Sequence, residues 1–163
     1  MAVAEIIGAA IGVMMLVIVA YVLVGSVLTA AEVVNNAQKD LTLLNEVRMR
    51  TDMFFFPSHT KIVNLPSSDL SFCLNNTGSE VIGDFPHMDV FTTNSNGMTH
   101  YSKATVPEKG YWTIFQFDRD FVHPGMLDPG EAVWINATYE GEIPTTVLVS
   151  TGNGVYTSAI IPS

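Results

Sequence analysis

The sequence predicts an α+β chain in which one long, hydrophobic N-terminal α-helix precedes an antiparallel β-sandwich of immunoglobulin-like architecture. Three observations predict it. No charged side chain stands between Glu5 and Glu32. A helix-compatible pattern without proline then continues to Phe56, and beyond Pro57 the apolar period changes from three-four to two. The expected division is therefore a helix over 1–56 and an exposed β-domain over 57–163.

The helix comes first. Residues 6–31 would extend about 39 Å at about 1.5 Å per residue, more than the roughly 30 Å of hydrocarbon in a bilayer. A cleaved secretory signal fits this run less well, because such signals have a basic start and an apolar stretch of only about 7–15 residues. From Glu32 onward the apolar residues become one-sided: Val34, Ala37, Leu41 and Leu44 keep the three-four spacing, with Val33, Leu43 and Val47 widening the stripe. Such a rod has too much apolar surface to bury against a body of this size, so it requires lipid or copies of itself. The small residues Gly8, Ala9, Gly12 and Ala20 allow close helix approach, Gly8 and Gly12 at the spacing that packs membrane helices. An ionised Glu5 inside an apolar assembly costs several kcal/mol, on the order of a buried charge, unless it is paired. Either the headgroup level of a membrane or the α-amino group at Met1 of a neighbouring copy would accommodate it.

Pro57 cannot continue a helical hydrogen-bond ladder, so the helix is expected to end at Phe56. The stretches KIVNL, DLSFCLNN, MDVFTT, YWTIFQF, EAVWINATYE, TTVLVS and GVYTSAII then carry the β-branched and aromatic residues of strands. Turn chemistry separates them at Asn96–Gly97, Asp128–Pro129–Gly130 and Gly152–Asn153–Gly154. Alternation is clearest in Leu70, Phe72, Leu74 and in Val133, Ile135, Ala137. Short antiparallel strands at this spacing build a sandwich.

Composition excludes several function classes. The net charge is −9, with four basic and eleven acidic residues from Pro57 onward, so nothing resembles the clustered Lys and Arg that hold a nucleic-acid backbone. Cys73 is alone, which excludes an intrachain disulfide and any cysteine-based metal site, and it reads as core filler, with an intermolecular or redox role as the alternative. His59, His87, His100 and His123 are scattered. Asp118, Asp120, Asp128 and Glu131 form an acidic neighbourhood without calcium-loop spacing. No catalytic constellation, cofactor motif or metal-ligand set is evident, and the expectation is a structural protein. Two sequons, Asn75–Asn76–Thr77 and Asn136–Ala137–Thr138, make Asn75 and Asn136 candidate glycosylation sites if the domain is exported.

An apolar helix continuous with an amphipathic one and carrying a small acidic β-domain resembles the type IV pilin superfamily, which includes the subunits of the archaeal flagellum. MAVAEIIGAAIGVMMLVIVAYVLV resembles the polymerisation helix of that superfamily, and Glu5 matches the glutamate that type IV pilins carry there. LNNTGSEVIGDFPHMDVF, GYWTIFQF, LDPGEAVWINA and VSTGNGVYTSAII resemble the archaeal-flagellum side. The resemblance implies an archaellin-like filament subunit for motility and possibly adhesion. Such a subunit waits in the membrane, is handled by archaellum or pilus assembly machinery, and ends as an extracellular homo-oligomer. Met1, Glu5, Gly8, Gly12, Ala20, Leu41 and Leu44 would form its assembly helix. A membrane-anchored accessory or stator protein of the archaellum motor, gripping the cell envelope, fits the same order of motifs. An unrelated membrane-tethered adhesin is the third reading.

Overall fold

The computed structural model describes residues 2–56, 59–63 and 68–162. The chain divides into two compact units, Met1–Leu44 and Asn45–Ser163. Helix α1 covers Ala2–Arg50. It stops at Arg50, six residues before the expected Phe56, because the period of two already begins at Met53. Strand β1 (Met53–Phe55) buries Met53 and Phe55 in the core and turns Phe54 outward. Two large apolar side chains gain more from that burial than from another exposed helical turn. Pro57 lies outside the described residues.

The remaining strands are β2 (Lys61–Val63), β3 (Asp69–Asn76), β4 (Asp89–Asn94), β5 (Gly97–Lys103), β6 (Tyr111–Asp118), β7 (Ala132–Thr138), β8 (Thr146–Ser150) and β9 (Tyr156–Ile160). The strand order is β1-β3-β7-β6-β5-β4-β8-β9, with β2 also on β3. Strands β1 and β2 pair with opposite ends of β3, Phe55 with Leu74 and Lys61 with Ser71, and together they form that edge of the sheet. Seven of these strands coincide with the stretches expected from the sequence; β1 and β5 are additional. All pairings are antiparallel except β5 with β6, which run parallel through Ser102–Tyr111 and Lys103–Trp112 only. That short parallel contact is the corner where one layer passes into the other.

The layers β1/β2-β3-β7-β6 and β5-β4-β8-β9 enclose the core. Leu70, Phe72 and Leu74 of β3 face Val133, Ile135 and Ala137 of β7 by direct register (Leu70↔Ala137, Phe72↔Ile135, Leu74↔Val133), and Val90, Val147 and Val149 close the core from the second layer. Trp112 and Tyr101 are the largest fully buried side chains. The Tyr101 hydroxyl lies 3.1 Å from Thr92 Oγ1, which gives a buried polar tip its partner.

Candidate anchoring and assembly site

Within the first unit every described side chain from Val3 to Leu44 is exposed, including Glu5, Ala20, Leu41 and Leu44. Glu5 has no partner among the described residues, and Met1 lies outside them. A Cβ built at Gly8 or Gly12 meets no atom within 4 Å. These glycines each cost a helix about 1 kcal/mol relative to alanine, and no packing among the described residues offsets that cost. The hydroxyls in the apolar run are satisfied locally: Ser26 Oγ donates to the Leu23 carbonyl at 2.8 Å and Thr29 Oγ1 to the Gly25 carbonyl at 3.1 Å. In hydrocarbon an unpaired hydroxyl would be costly, and these two are already paired. The helix is long and apolar enough to cross a membrane.

In the second unit the end of the helix meets two turns, Asn76–Ser79 and Thr151–Gly154. Helix ends leave carbonyls without partners. Here the Ser79 and Glu80 N–H groups donate to the Arg50 carbonyl at 2.8 and 3.2 Å, and those of Thr77 and Gly78 donate to the Asp52 carbonyl, both at 3.1 Å. The Thr77 hydroxyl donates to Asp52 Oδ2 at 2.8 Å. Gly78 is required at that approach, since a Cβ would stand 2.4 Å from the Arg50 oxygen and 2.5 Å from the Asp52 nitrogen. Asn76 is fully buried: its Nδ2 donates to the Glu80 and Leu127 carbonyls at 2.8 and 2.9 Å, and its Oδ1 accepts from the Gly78 N–H at 3.0 Å. From the other turn, Asn153 Nδ2 donates to Thr51 Oγ1 at 2.8 Å, and Arg48 reaches the Gly154 carbonyl at 3.5 Å.

Three of the four acidic neighbours accept from nearby backbone N–H groups, and Asp118 lies 3.8 Å from Arg119 Nε. Both carboxylate oxygens of Asp120 accept from the Gly125 N–H at 3.0 Å, and Glu131 Oε2 accepts from the Asp128 N–H at 3.2 Å. Asp128 accepts from the His123 N–H at 3.0 Å, and its other oxygen lies 2.6 Å from His123 Nδ1. The hydrogen bond from the His123 side chain holds the Asp128 carboxyl below the usual carboxylate range, against the opposing effect of burial. His87 and His100 likewise rest on Asp84 and Asp89, at 2.7 and 2.8 Å. Among the described residues no three metal-ligating side chains stand together.

Cys73 is buried, paired in register with Trp134. Burial, with Asp118 adding to it, pushes its thiol up to about 11. His59 meets the Trp134 ring edge-on at 5.2 Å and Phe56 at 5.7 Å. Asn75 and Asn136 lie within β3 and β7, half-buried, each with a covered Oδ1 that has no hydrogen-bond partner among the described residues. Neither sits in a loop, and strand alternation puts both on the outer side of the first layer.

Fold and surface together define a class: one membrane-length apolar helix carrying one small β-sandwich with no chemically equipped pocket among the described residues. No protein-family model matches the chain, and no curated protein matches it. Among solved structures, the chain is similar to the archaellum periplasmic stator protein complex FlaF and FlaG from Sulfolobus acidocaldarius. That match has 20% identity, covers 59% of this chain and 80% of that one, and has a TM-score of 0.47. It is also similar to the archaellum periplasmic stator protein FlaG from the same organism, at 17% identity over 68% of this chain and 99% of that one, with a TM-score of 0.46.

Proposed function

We propose that the chain is a structural, non-catalytic component of an archaellum-type apparatus. Residues 6–31 hold it in a membrane, and the β-sandwich works outside that membrane in an accessory, stator-like role against the cell envelope. The observation that carries the anchoring is the helix surface, which is apolar all round as far as Ala31, is covered by none of its own side chains, and becomes mixed at Glu32. Lipid touches a helix from every side and demands that pattern; a single partner face does not. The archaellum assignment rests on the sequence resemblance of the NTGS and Asn-Gly-Val segments. A second reading, the filament subunit, is favoured by the unpartnered Glu5 and by the unexplained smallness of Gly8 and Gly12. In that reading parallel helices replace lipid around residues 6–31, and Glu5 meets the amine of a neighbouring copy.

One experiment separates the two. Cells making the full chain are sheared, and the filament fraction and the membranes are compared. An accessory protein stays in membranes through carbonate washing and is extracted by detergent as a small oligomer. A filament subunit is recovered in the sheared, sedimenting polymer. Recovery as a soluble protein without detergent would overturn both readings.

A further inference from the structure

The outer side of β5-β4-β8-β9 differs from the rest of this acidic surface. By register, Phe91 stands between His100 and Leu148, Thr93 between Met98 and Thr146, and Leu148 beside Ser158. Thr146 pairs with Ile160 and Ser150 with Tyr156, so these residues share one face. Met98, Tyr156 and Ile160 are 66%, 67% and 79% exposed, while Phe91 and Leu148 form the half-buried middle. Asp89 is the sole carboxylate of the face and lies 2.8 Å from His100 Nε2. Every other position on the four strands' outer side is serine or threonine, in a chain with sixteen carboxylates. Both sequon asparagines are on the other layer, so this face stays bare whether or not they are modified.

We propose that this sheet face is a lateral contact between copies of the chain, two sandwiches stacking it face to face. The charge pattern selects the occupant. Two copies of a −9 chain repel over most of their surface, and this face lets them approach with a single carboxylate from each, Asp89, which His100 already meets. A face without lysine or arginine has nothing to draw it to anionic lipid headgroups. Sheets packed in this way sit about 10 Å apart. Four strands about 4.8 Å apart and five residues long offer on the order of 300 Å² per copy, well under the roughly 800 Å² per partner of a stable complex. The contact therefore forms where an apolar helix concentrates copies in a membrane, and to that extent it rests on the anchoring proposed above.

Cross-linking of the full chain in lipid vesicles tests it. Ser158→Cys puts a thiol on the face, on the edge strand beside Leu148, Glu140→Cys is an exposed control off it, and native Cys73 is buried. Oxidation should link Ser158→Cys into dimers at least tenfold more than Glu140→Cys. Adding Leu148→Asp, or Ile160→Glu at a position too exposed to threaten folding, should return the yield to the control level. Equal yields at the two cysteines, yields indifferent to Ile160→Glu, or linkage in native membranes only to a different protein would overturn the contact. Vesicle flotation is read separately: a chain that fails to float refutes the anchoring, and the same pair of cysteines at matched concentration in solution still decides the face.

Discussion

The helix and the β-unit spend the same residue types in opposite ways. In the β-unit Leu70, Phe72, Val90, Trp112, Ile135 and Val149 are all fully buried, and the carboxylates of Asp84, Asp89, Asp120 and Asp128 each meet a histidine or a backbone N–H. In the helix Ile11, Leu16, Val17 and Leu28 are exposed, and Glu5 meets no described residue. One unit supplies its own low-polarity interior and its own counter-groups; the other relies on surroundings the chain does not contain. Apolar content alone does not distinguish them. What distinguishes them is whether the period lets the chain bury it: period two folds a sheet onto a second sheet, whereas a helix apolar all round has no free side to turn to water.

If that contrast is right, damage to either unit should leave the other untouched. The largest effect is expected from Phe72→Ala, which removes a fully buried ring that packs on Phe55 at 5.4 Å. Such deletions cost about 3–5 kcal/mol, a large share of the roughly 5–15 kcal/mol of a domain. Thermal unfolding of the detergent-solubilised chain should show a much lower midpoint, with carbonate-resistant membrane association unchanged. Next is Gly12→Arg, which should lower insertion by up to about 3 kcal/mol, since arginine costs about 2.5–3.5 kcal/mol at the centre of a membrane helix, and should block any helix assembly. The β-unit's unfolding midpoint should stay where it was. Loss of membrane association in Phe72→Ala, or a shifted midpoint in Gly12→Arg, would show that the two units are not energetically separate.

Much of this contrast was legible in the residues. The uncharged run before Glu32 and the alternation in β3 and β7 are local signals, and local signals survive in a linear string. The helix end was not legible, because Met53–Phe56 suits a helix as well as a strand and only the core pocket for Met53 and Phe55 decides. Strand β5 was missed for a related reason: Gly97–His100 is exposed on both faces and shows no alternation. The docking of Asn76–Ser79 onto the end of the helix was not legible, because its acceptors are backbone carbonyls of Arg50 and Asp52, which leave no trace in residue identity. The sheet face needed register above all. Phe91, Met98, Leu148, Tyr156 and Ile160 come from four separate strands and look like unrelated surface residues until pairing brings them onto one face.

The smallest and sharpest test concerns how the β-unit stores its charges. Asp128 is ionised under two donors from His123, so its folded pKa lies below its ordinary value, and folding favours the charged form. A carboxylate with a depressed folded pKa adds stability that is complete above its unfolded value of about 3.9 and is lost as the pH falls through the lower folded value. Asp128→Asn keeps the shape and removes the titration. The variant should be less stable than the parent at pH 7, and the gap should narrow as the pH falls from about 4 toward 2, measured by thermal unfolding across that range. A gap that stays constant with pH would mean the bonds from His123 stabilise by geometry alone. A gap that widens on acidification would reverse the sign of the linkage. Either result would remove the claim that this unit holds the Asp128 carboxylate with donors of its own, where the helix leaves Glu5 to its surroundings.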